Sequence, residues 1–212
     1  TLEVRHAGGG YRPVSLPEGV MRFHMTRRTL TPITANNSAS LFALEGDLRL
    51  VEFHSKANAL TDESMEIVAA AAADHGKGII IHNDAQHFSA GVDLNAFRAY
   101  IEAEDWDGID GFLDRFQKAV CALKYTPVPV VGAPSGLAAG GGYEVLAHCD
   151  RLVVHTNSVM GLVEAGVGVV PGGGGIKDTF FRWHAAKDSW DEAAWQTWMN
   201  IGYGATGSSP QL

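Results

Sequence analysis

The sequence predicts an α/β fold built from repeated strand–helix turns. Short apolar runs of strand character alternate with longer stretches of helical periodicity, and 46% hydrophobic residues in a chain of 212 can bury one sizeable core. Sixteen basic and twenty-four acidic side chains give a net charge of −8, which argues against a nucleic-acid partner because phosphate backbones require a basic face. We therefore expect one domain with an appendage, acting on a small molecule.

The first 39 residues are predicted to form a basic linker or arm. Residues 1–40 contain five Arg and two Glu, a local charge of +3, and they include three prolines and the run Gly8-Gly9-Gly10 without a clear period. We also expect a chain that starts at Thr1 to be a piece of a longer polypeptide.

The first regular elements follow this arm. A β-hairpin is predicted over residues 40–53, with Glu45-Gly46-Asp47 as its turn. Asp62 and Glu63 then begin a helix that runs to Ala73, since acidic side chains are favoured at a helix N-terminus. A buried strand over 78–82 completes a strand–helix–strand unit with parallel strands. The apolar face of the helix is predicted to contain Met65, Val68, Ala69 and Ala72.

The second half of the chain repeats the alternation. Asp93 is predicted to cap a helix that ends near Ile101, and apolar residues at helical spacing predict a long amphipathic helix over 106–124. Strands are expected at 128–131 and 151–155, with a helix over 139–148 between them. Residues 177–200 contain four tryptophans, which predicts helices with aromatic faces.

Two glutamates embedded in glycine are the most informative local feature. Glu144 ends the run Gly-Leu-Ala-Ala-Gly-Gly-Gly-Tyr-Glu that begins at residue 136, and Glu164 is the only charge in a second glycine-rich run over 161–175. Glycine costs backbone entropy, so dense runs indicate close backbone approach or exposed N–H donors. Lone acids in apolar surroundings are expected to have raised pKa values, which suits acid–base chemistry.

These motifs together resemble the enoyl-CoA hydratase/isomerase (crotonase) superfamily. The resemblance also draws on Phe88-Ser89-Ala90-Gly91-Val92-Asp93-Leu94 and Lys56-Ala57-Asn58-Ala59-Leu60, which stand in the family's order. It implies a crotonase-type superhelix of strand–helix turns, with a core over 40–182. Residues 183–212 would be a partial C-terminal helical region, in which the family's final helices are truncated.

The resemblance implies hydration of trans-2-enoyl-CoA to 3-hydroxyacyl-CoA, a lyase reaction of fatty-acid β-oxidation. Glu144 would assist deprotonation of a water and Glu164 would deliver a proton to C2. Backbone N–H groups of Val92 and Gly141 would form the oxyanion hole, and Lys56 and Ala90 would contact CoA. No cofactor is expected, because CoA is part of the substrate.

Alternatives remain open at the level of sequence. Isomerases of the superfamily commonly lack the first acid, so the presence of both favours hydration, yet an enoyl-CoA isomerase or a non-catalytic acyl-CoA-binding module is still possible. Leu162-Val163 and Ile176-Lys177-Asp178 depart from the family pattern, which bears on acyl specificity and on the positioning of Glu164. Lys56 is as compatible with a solvated role as with phosphate binding.

The remaining expectations concern partners and location. Scattered histidines without ligand spacing argue against a metal site, and two cysteines, Cys121 and Cys149, argue against a disulfide framework. Apolar runs are too short for a membrane span. The resemblance further implies a homo-oligomer, a trimer in the family, a cytoplasmic location, and association or fusion with a 3-hydroxyacyl-CoA dehydrogenase as in multifunctional fatty-acid oxidation proteins.

Overall fold

The computed structural model describes residues 3–18, 20, 22–202 and 206–208, and it divides the chain at residue 31 into two units. The first unit ends at Thr31, before the predicted end of the arm at residue 39. It contains an antiparallel pair of short strands, β1 (Glu3–Arg5) and β2 (Tyr11–Pro13), and then α1 (Phe23–Thr26), which continues into a 3-10 turn over Arg27–Thr29. The arm is thus built of short local elements.

The second unit is organised around a six-stranded sheet of order β3-β4-β5-β6-β7-β9. The predicted hairpin is confirmed: β4 and β5 pair antiparallel around a turn in which Gly46 and Asp47 have positive φ. From β5 to β9 all pairs are parallel, as strand–helix–strand connections require. The strands are β3 (Thr34–Ala35), β4 (Ala39–Leu44), β5 (Leu48–Phe53), β6 (Gly78–Ile81), β7 (Val130–Gly132) and β9 (Arg151–Leu152).

Helix α2 (Asp62–Ala73) has the predicted bounds because its N-terminus carries a capping box. Thr61 accepts a hydrogen bond from Ser64 N–H at 3.3 Å, and the Ser64 hydroxyl accepts from Thr61 N–H at 3.2 Å. Met65 and Val68 are buried as predicted. The prediction is wrong for Ala69, which is exposed. The buried stripe continues through Ile67 and Ala71 instead.

The next two helices confirm the predicted periodicity. Asp93 caps α3 (Leu94–Glu102) by accepting from Asn95 N–H at 2.9 Å. Helix α4 (Trp106–Lys124) packs along α2 and buries one apolar stripe against the core. That stripe consists of Phe112, Phe116, Ala119, Val120 and Leu123.

The predicted helix over 139–148 begins two residues later than expected. Residues Leu137–Ala139 form strand β8, which pairs in parallel with β10 (Val159–Gly161), and helix α5 covers only Gly141–Ala147. Gly140 separates the two elements with φ of 51° and ψ of −121°, a conformation outside both helix and strand. β10 also pairs antiparallel with β11 (Thr206–Ser208), so a second, three-stranded sheet stands beside the first.

Two predicted strands also differ in extent. The strand expected over 128–131 lies at Val130–Gly132, and the one expected over 151–155 ends at Leu152, where sheet pairing with β7 stops. Both strands nevertheless occur in the predicted order along the chain, after β6 and on either side of α5. The alternation of strands and helices was therefore predicted correctly, while the ends of short elements were not.

The C-terminal part consists of α6 (Gly175–Lys187) and α7 (Trp190–Gly202), which pack together. Trp190 stacks on Phe180 and His184 at their junction, with ring centroids 5.6 and 3.5 Å apart. Trp190, Trp195 and Trp198 are each more than half exposed. Helix α6 runs across the predicted division at 182/183, and β3 lies before the predicted start at residue 40; both divisions stay predictions. Among the described residues, no helix has the length and apolar character to cross a membrane.

Candidate active site

Glu144 lies in the first turn of α5 and is almost completely buried, with 2% of its surface exposed. Its Oε1 accepts two backbone hydrogen bonds, from Gly173 N–H and Gly175 N–H, each at 2.9 Å. Such donors stabilise the charged form of a carboxyl group. The loop before α6 is therefore a cradle for this one side chain.

The loop requires glycine because it has no room for a side chain at these positions. A Cβ at Gly173 would lie 2.6 Å from Glu144 Oε2 and 2.4 Å from Phe116 Cε1, and a Cβ at Gly175 would lie 2.7 Å from Glu144 Cγ. Real Cβ atoms do not approach other atoms so closely. The glycine run over 172–175 thus permits the contact between backbone and carboxylate.

The surroundings of Glu144 shift its protonation. The pKa of Glu144 is raised from an ordinary 4.5 to about 7, mainly by burial and to a smaller extent by the like charge of Glu164. The backbone hydrogen bonds from Gly173 and Gly175 act in the opposite direction and offset part of this increase. A carboxyl group with a pKa near neutral can both accept and release a proton at physiological pH.

Glu164 begins a 3-10 turn over Glu164–Val167 and is only partly buried. Its Oε2 accepts from Val163 N–H at 2.8 Å, and burial raises its pKa. A Cβ at Gly140 would lie 2.9 Å from Glu164 Oε1, while Gly140 O accepts from Glu144 N–H at 2.9 Å. Gly140, between β8 and α5, thus contacts the Glu164 carboxyl group and the backbone of Glu144, and the two carboxyl groups are close enough for the charge of Glu164 to raise the pKa of Glu144.

The predicted backbone donors, Val92 and Gly141, lie next to each other at the same place. A Cβ on Gly141 would be 3.4 Å from Val92 N, and one on Gly91, whose φ is +94°, would be 3.7 Å from Gly141 N. Gly141 is the first residue of α5, so its N–H has no acceptor within the helix. Across the described ranges, neither N–H donates to a protein acceptor.

A hydrogen-bonded turn supports the loop that carries Val92. Ser89 Oγ donates to Asn58 O and Asn58 Nδ2 donates to His87 O, both at 2.8 Å. Ala90 N–H donates to Ala57 O at 3.2 Å. These bonds bring exposed Ala90 beside the short 3-10 turn Lys56–Asn58, whose Lys56 side chain is also exposed. The two predicted CoA contacts thus belong to one surface next to the site.

Sequence reasoning missed three polar residues behind Glu144. His148 and Asp178 are buried, and Lys124 reaches Asp178 from α4. Asp178 had been noticed only as a departure from the family pattern, although an acid in the first turn of α6 was a usable signal. Cys121 and Cys149 are free thiols. Within the described ranges, no three side chains of His, Cys, Asp or Glu are grouped to hold a metal ion.

The protein thus has an α/β fold of repeated strand–helix turns. Its candidate site combines two carboxyl groups and two unpaired backbone N–H donors with glycine-rich backbone. The sequence profile of enoyl-CoA hydratase/isomerase matches residues 48–183. The chain belongs to this family, and the predicted resemblance is confirmed.

Known relatives and structures agree with that assignment. The chain is 32% identical over 208 residues to a probable 3-hydroxyacyl-CoA dehydrogenase of Bacillus subtilis (strain 168), covering 96% of this chain and 26% of that protein. It is 35% identical over 118 residues to a putative fatty acid oxidation complex trifunctional enzyme of Rickettsia felis, covering 56% of this chain and 16% of that protein. The chain thus spans 26% of the length of the first relative and 16% of the length of the second.

A solved structure supports the fold. The crystal structure of an enoyl-CoA hydratase from Polaromonas sp. JS666 superposes with a TM-score of 0.71 at 21% identity, covering 82% of this chain and 66% of that chain. The predicted crotonase-type α/β fold is therefore confirmed.

Proposed function

We propose that this domain hydrates trans-2-enoyl-CoA to 3-hydroxyacyl-CoA. The observation that carries the proposal is that two carboxyl groups with raised pKa values, Glu144 and Glu164, are close enough to interact electrostatically, while the unpaired N–H groups of Val92 and Gly141 lie next to Gly140, which contacts Glu164. Addition of water across a conjugated double bond needs a base for the water, a proton for C2 and a site for negative charge. The four groups match these needs.

In the proposed reaction, Glu144 accepts a proton from water as the water oxygen bonds to C3. The electrons of the double bond move onto the thioester, giving an enolate, and C2 then takes a proton from Glu164. The proton held by Glu144 returns to Glu164 to close the cycle, so the net change is addition of one water. General acid–base groups of this kind each contribute about 10²–10⁴-fold in rate.

The Val92 and Gly141 N–H groups are proposed to bind the thioester oxygen. The enolate charge develops on that oxygen, and donors already fixed in place stabilise it by about 3–4 kcal/mol each in comparable sites. Gly141 is also the first residue of α5. Lys56 and Ala90, exposed at the adjacent turn, are proposed to contact the CoA portion of the substrate.

The wider biological role is also a proposal. The two relatives are named as a dehydrogenase and as a trifunctional fatty-acid oxidation enzyme, and this chain matches only part of each. We propose that the domain acts together with a 3-hydroxyacyl-CoA dehydrogenase, which would oxidise its product. Such coupling is chemically coherent because the hydrated product carries the 3-hydroxyl group that a dehydrogenase needs.

The test is incubation of the purified chain with crotonyl-CoA, following loss of the enoyl absorbance and identifying the product by mass. We expect a product heavier by one water. Incubation with a 3-enoyl-CoA in parallel tests the isomerase reaction, which would give a product of unchanged mass. Isomerisation without hydration would replace the proposed reaction, and thioester binding without either product would reduce the domain to a binding module.

A further inference from the structure

A buried ionic cluster stands directly behind Glu144, formed by side chains from three helices. His148, which follows α5, has no exposed side-chain surface, and Asp178 of α6 has 2%. His148 Nε2 and Asp178 Oδ2 are 2.7 Å apart. Their geometry does not meet the angles of a hydrogen bond. Lys124 of α4 binds Oδ1 of the same carboxylate. Charges are rarely buried unless they are paired, so this cluster calls for an explanation.

His148 contacts both the helix that carries Glu144 and the glycine loop that binds its carboxyl group. Its Nδ1 is 2.7 Å from the backbone oxygen of Glu144, and because a carbonyl oxygen only accepts, Nδ1 must be the donor. The other side of the ring stands against Gly174, where a Cβ would lie 3.2 Å from His148 Cε1. Gly174 separates the two glycines whose N–H groups bind Glu144 Oε1.

Asp178 fixes the orientation of this ring. Burial raises the pKa of Asp178, but contacts with His148 and Lys124 outweigh that effect and hold the pKa well below its usual range. Asp178 is therefore a carboxylate, held between His148 and Lys124. Lys177 Nζ, at 3.5 Å from Oδ2, adds a further positive charge.

The glycine loop also borders a cavity. A cavity of about 360 Å³ is lined by Gly172, Gly173 and Gly174 on one wall and by His148, Gln117 and Cys121 among the others. Gln117 Nε2 donates to Gly172 O at 2.7 Å. The His148 ring is the side chain that stands against Gly174, while Leu113, Phe116 and Leu162 stand against the other glycines of the loop.

We propose that His148, oriented by Asp178, is a positioning residue that holds the Gly173–Gly175 loop in contact with the Glu144 carboxyl group. The expected effect of His148 on catalysis rests on the proposed hydratase function. Its effect on the position of the loop does not depend on that function. Asp178 supplies the counter-charge for His148, and Lys124 balances Asp178.

The expected consequence is a change in the proton equilibrium of Glu144. Its two N–H bonds lower its pKa, so a loosened loop raises that pKa further. The ionisable groups around the site are Glu164, His148, Asp178, Lys124 and Lys177. Glu144 must be deprotonated to accept a proton from water, so activity at neutral pH falls and returns at higher pH.

The test is a ¹³C NMR titration of glutamate carboxyl groups, in which E144Q identifies the Glu144 signal. His148→Asn keeps a donor near the Nδ1 position but loses the ring that contacts Gly174 and Asp178. The double variant K124Q/D178N removes the acid without leaving Lys124 unpaired. Lys118→Gln, which alters an exposed ion pair on the same helix α4, is the matched control. We expect Glu144 to titrate about one pH unit higher in the first two variants and unchanged in the control.

Activity provides the second arm. With crotonyl-CoA, we expect kcat/KM of H148N at pH 7 to fall about tenfold and to approach the wild-type value near pH 9. Unchanged titration and pH profile in folded variants would overturn the proposal, as would loss of folding in both variants, since the residues would then be structural. A shifted titration in a protein without hydratase activity would uphold the positioning role and reject the proposed function.

Discussion

Glu144 and Glu164 carry the same carboxyl group and lie close enough to interact, but their surroundings differ. Glu144 belongs to a helix, is buried, and accepts two hydrogen bonds from a loop nearly thirty residues further along the chain. Glu164 begins a four-residue turn, is partly buried, and accepts from the N–H of its own neighbour Val163. One acid is fixed by tertiary structure, while the other is held only locally.

This difference suits two different tasks. A base that orients a water needs a fixed position, because misplacement by about 1 Å can cost 100-fold in rate. An acid that delivers a proton to carbon must be protonated beforehand, and partial burial, which raises its pKa, favours that form. In the proposed reaction, burial and backbone contacts would thus give two identical residues separate roles.

The largest effect is expected from removing either proton-transfer group. Glu144→Gln and Glu164→Gln keep side-chain shape, so we expect kcat on crotonyl-CoA to fall by about 10²–10⁴-fold in each, with a smaller change in KM. Steady-state kinetics at pH 7 measures this. Glu66→Gln, an exposed position on α2, is the control and should retain wild-type turnover. If one acid proves dispensable, the two-acid account fails.

A second expected effect concerns the cradle of Glu144. Gly173→Ala would place a Cβ 2.4 Å from Phe116 Cε1 and 2.6 Å from Glu144 Oε2, so the loop or the carboxylate must move. We expect about 1–3 kcal/mol of lost stability and at least a tenfold loss of kcat. Urea unfolding and steady-state kinetics report the two quantities.

The matched control for that variant is Gly166→Ala in the turn of Glu164. A Cβ there meets nothing within 4 Å, and its φ is not positive. We expect a stability change within about 0.5 kcal/mol. Equal damage from both substitutions would show that glycine in these runs is not selected for close approach to the acids.

The third expected effect is on stability and depends on pH. Between an ordinary pKa of 4.5 and the value of about 7 in the fold, Glu144 stays protonated in the folded chain but is ionised in the unfolded one. The folded state thus loses stability as pH rises through this window, by about 3 kcal/mol when complete. Glu144→Gln has no such loss.

Urea unfolding at pH 4.5 and pH 8 tests this directly. We expect the stability of E144Q relative to wild type to increase from the lower to the higher pH, and that of the Glu66→Gln control to remain constant. A pH-independent difference for E144Q would mean that the carboxyl group titrates near its ordinary value.

Local sequence predicted most elements because local physics determines them. The capping box at Thr61 fixed the start of α2, and periodicity over 106–124 gave α4 its bounds. The start of α5 was predicted two residues too early because Ala139 suits a helix, while pairing with β10 makes it part of a strand. Tertiary pairing decided that case.

The candidate site was predictable only in part. Glycine density beside Glu144 and Glu164 indicated backbone contact with the acids, and the structure places Glu144 against Gly173 and Gly175 and Glu164 against Gly140. The cluster of Lys124, His148 and Asp178 was not predictable, because its members come from three separate helices and share no local pattern. Such contacts depend on how helices pack.

The central claim is that the two acids and two backbone donors surround one thioester. A crystal structure with a bound, non-reactive enoyl-CoA analogue tests it most directly. We expect the thioester oxygen about 2.7–3.1 Å from both Val92 N and Gly141 N, with the Glu144 and Glu164 carboxyl groups next to C3 and C2. An analogue bound elsewhere, or with its thioester oxygen away from both N–H groups, would contradict the claim.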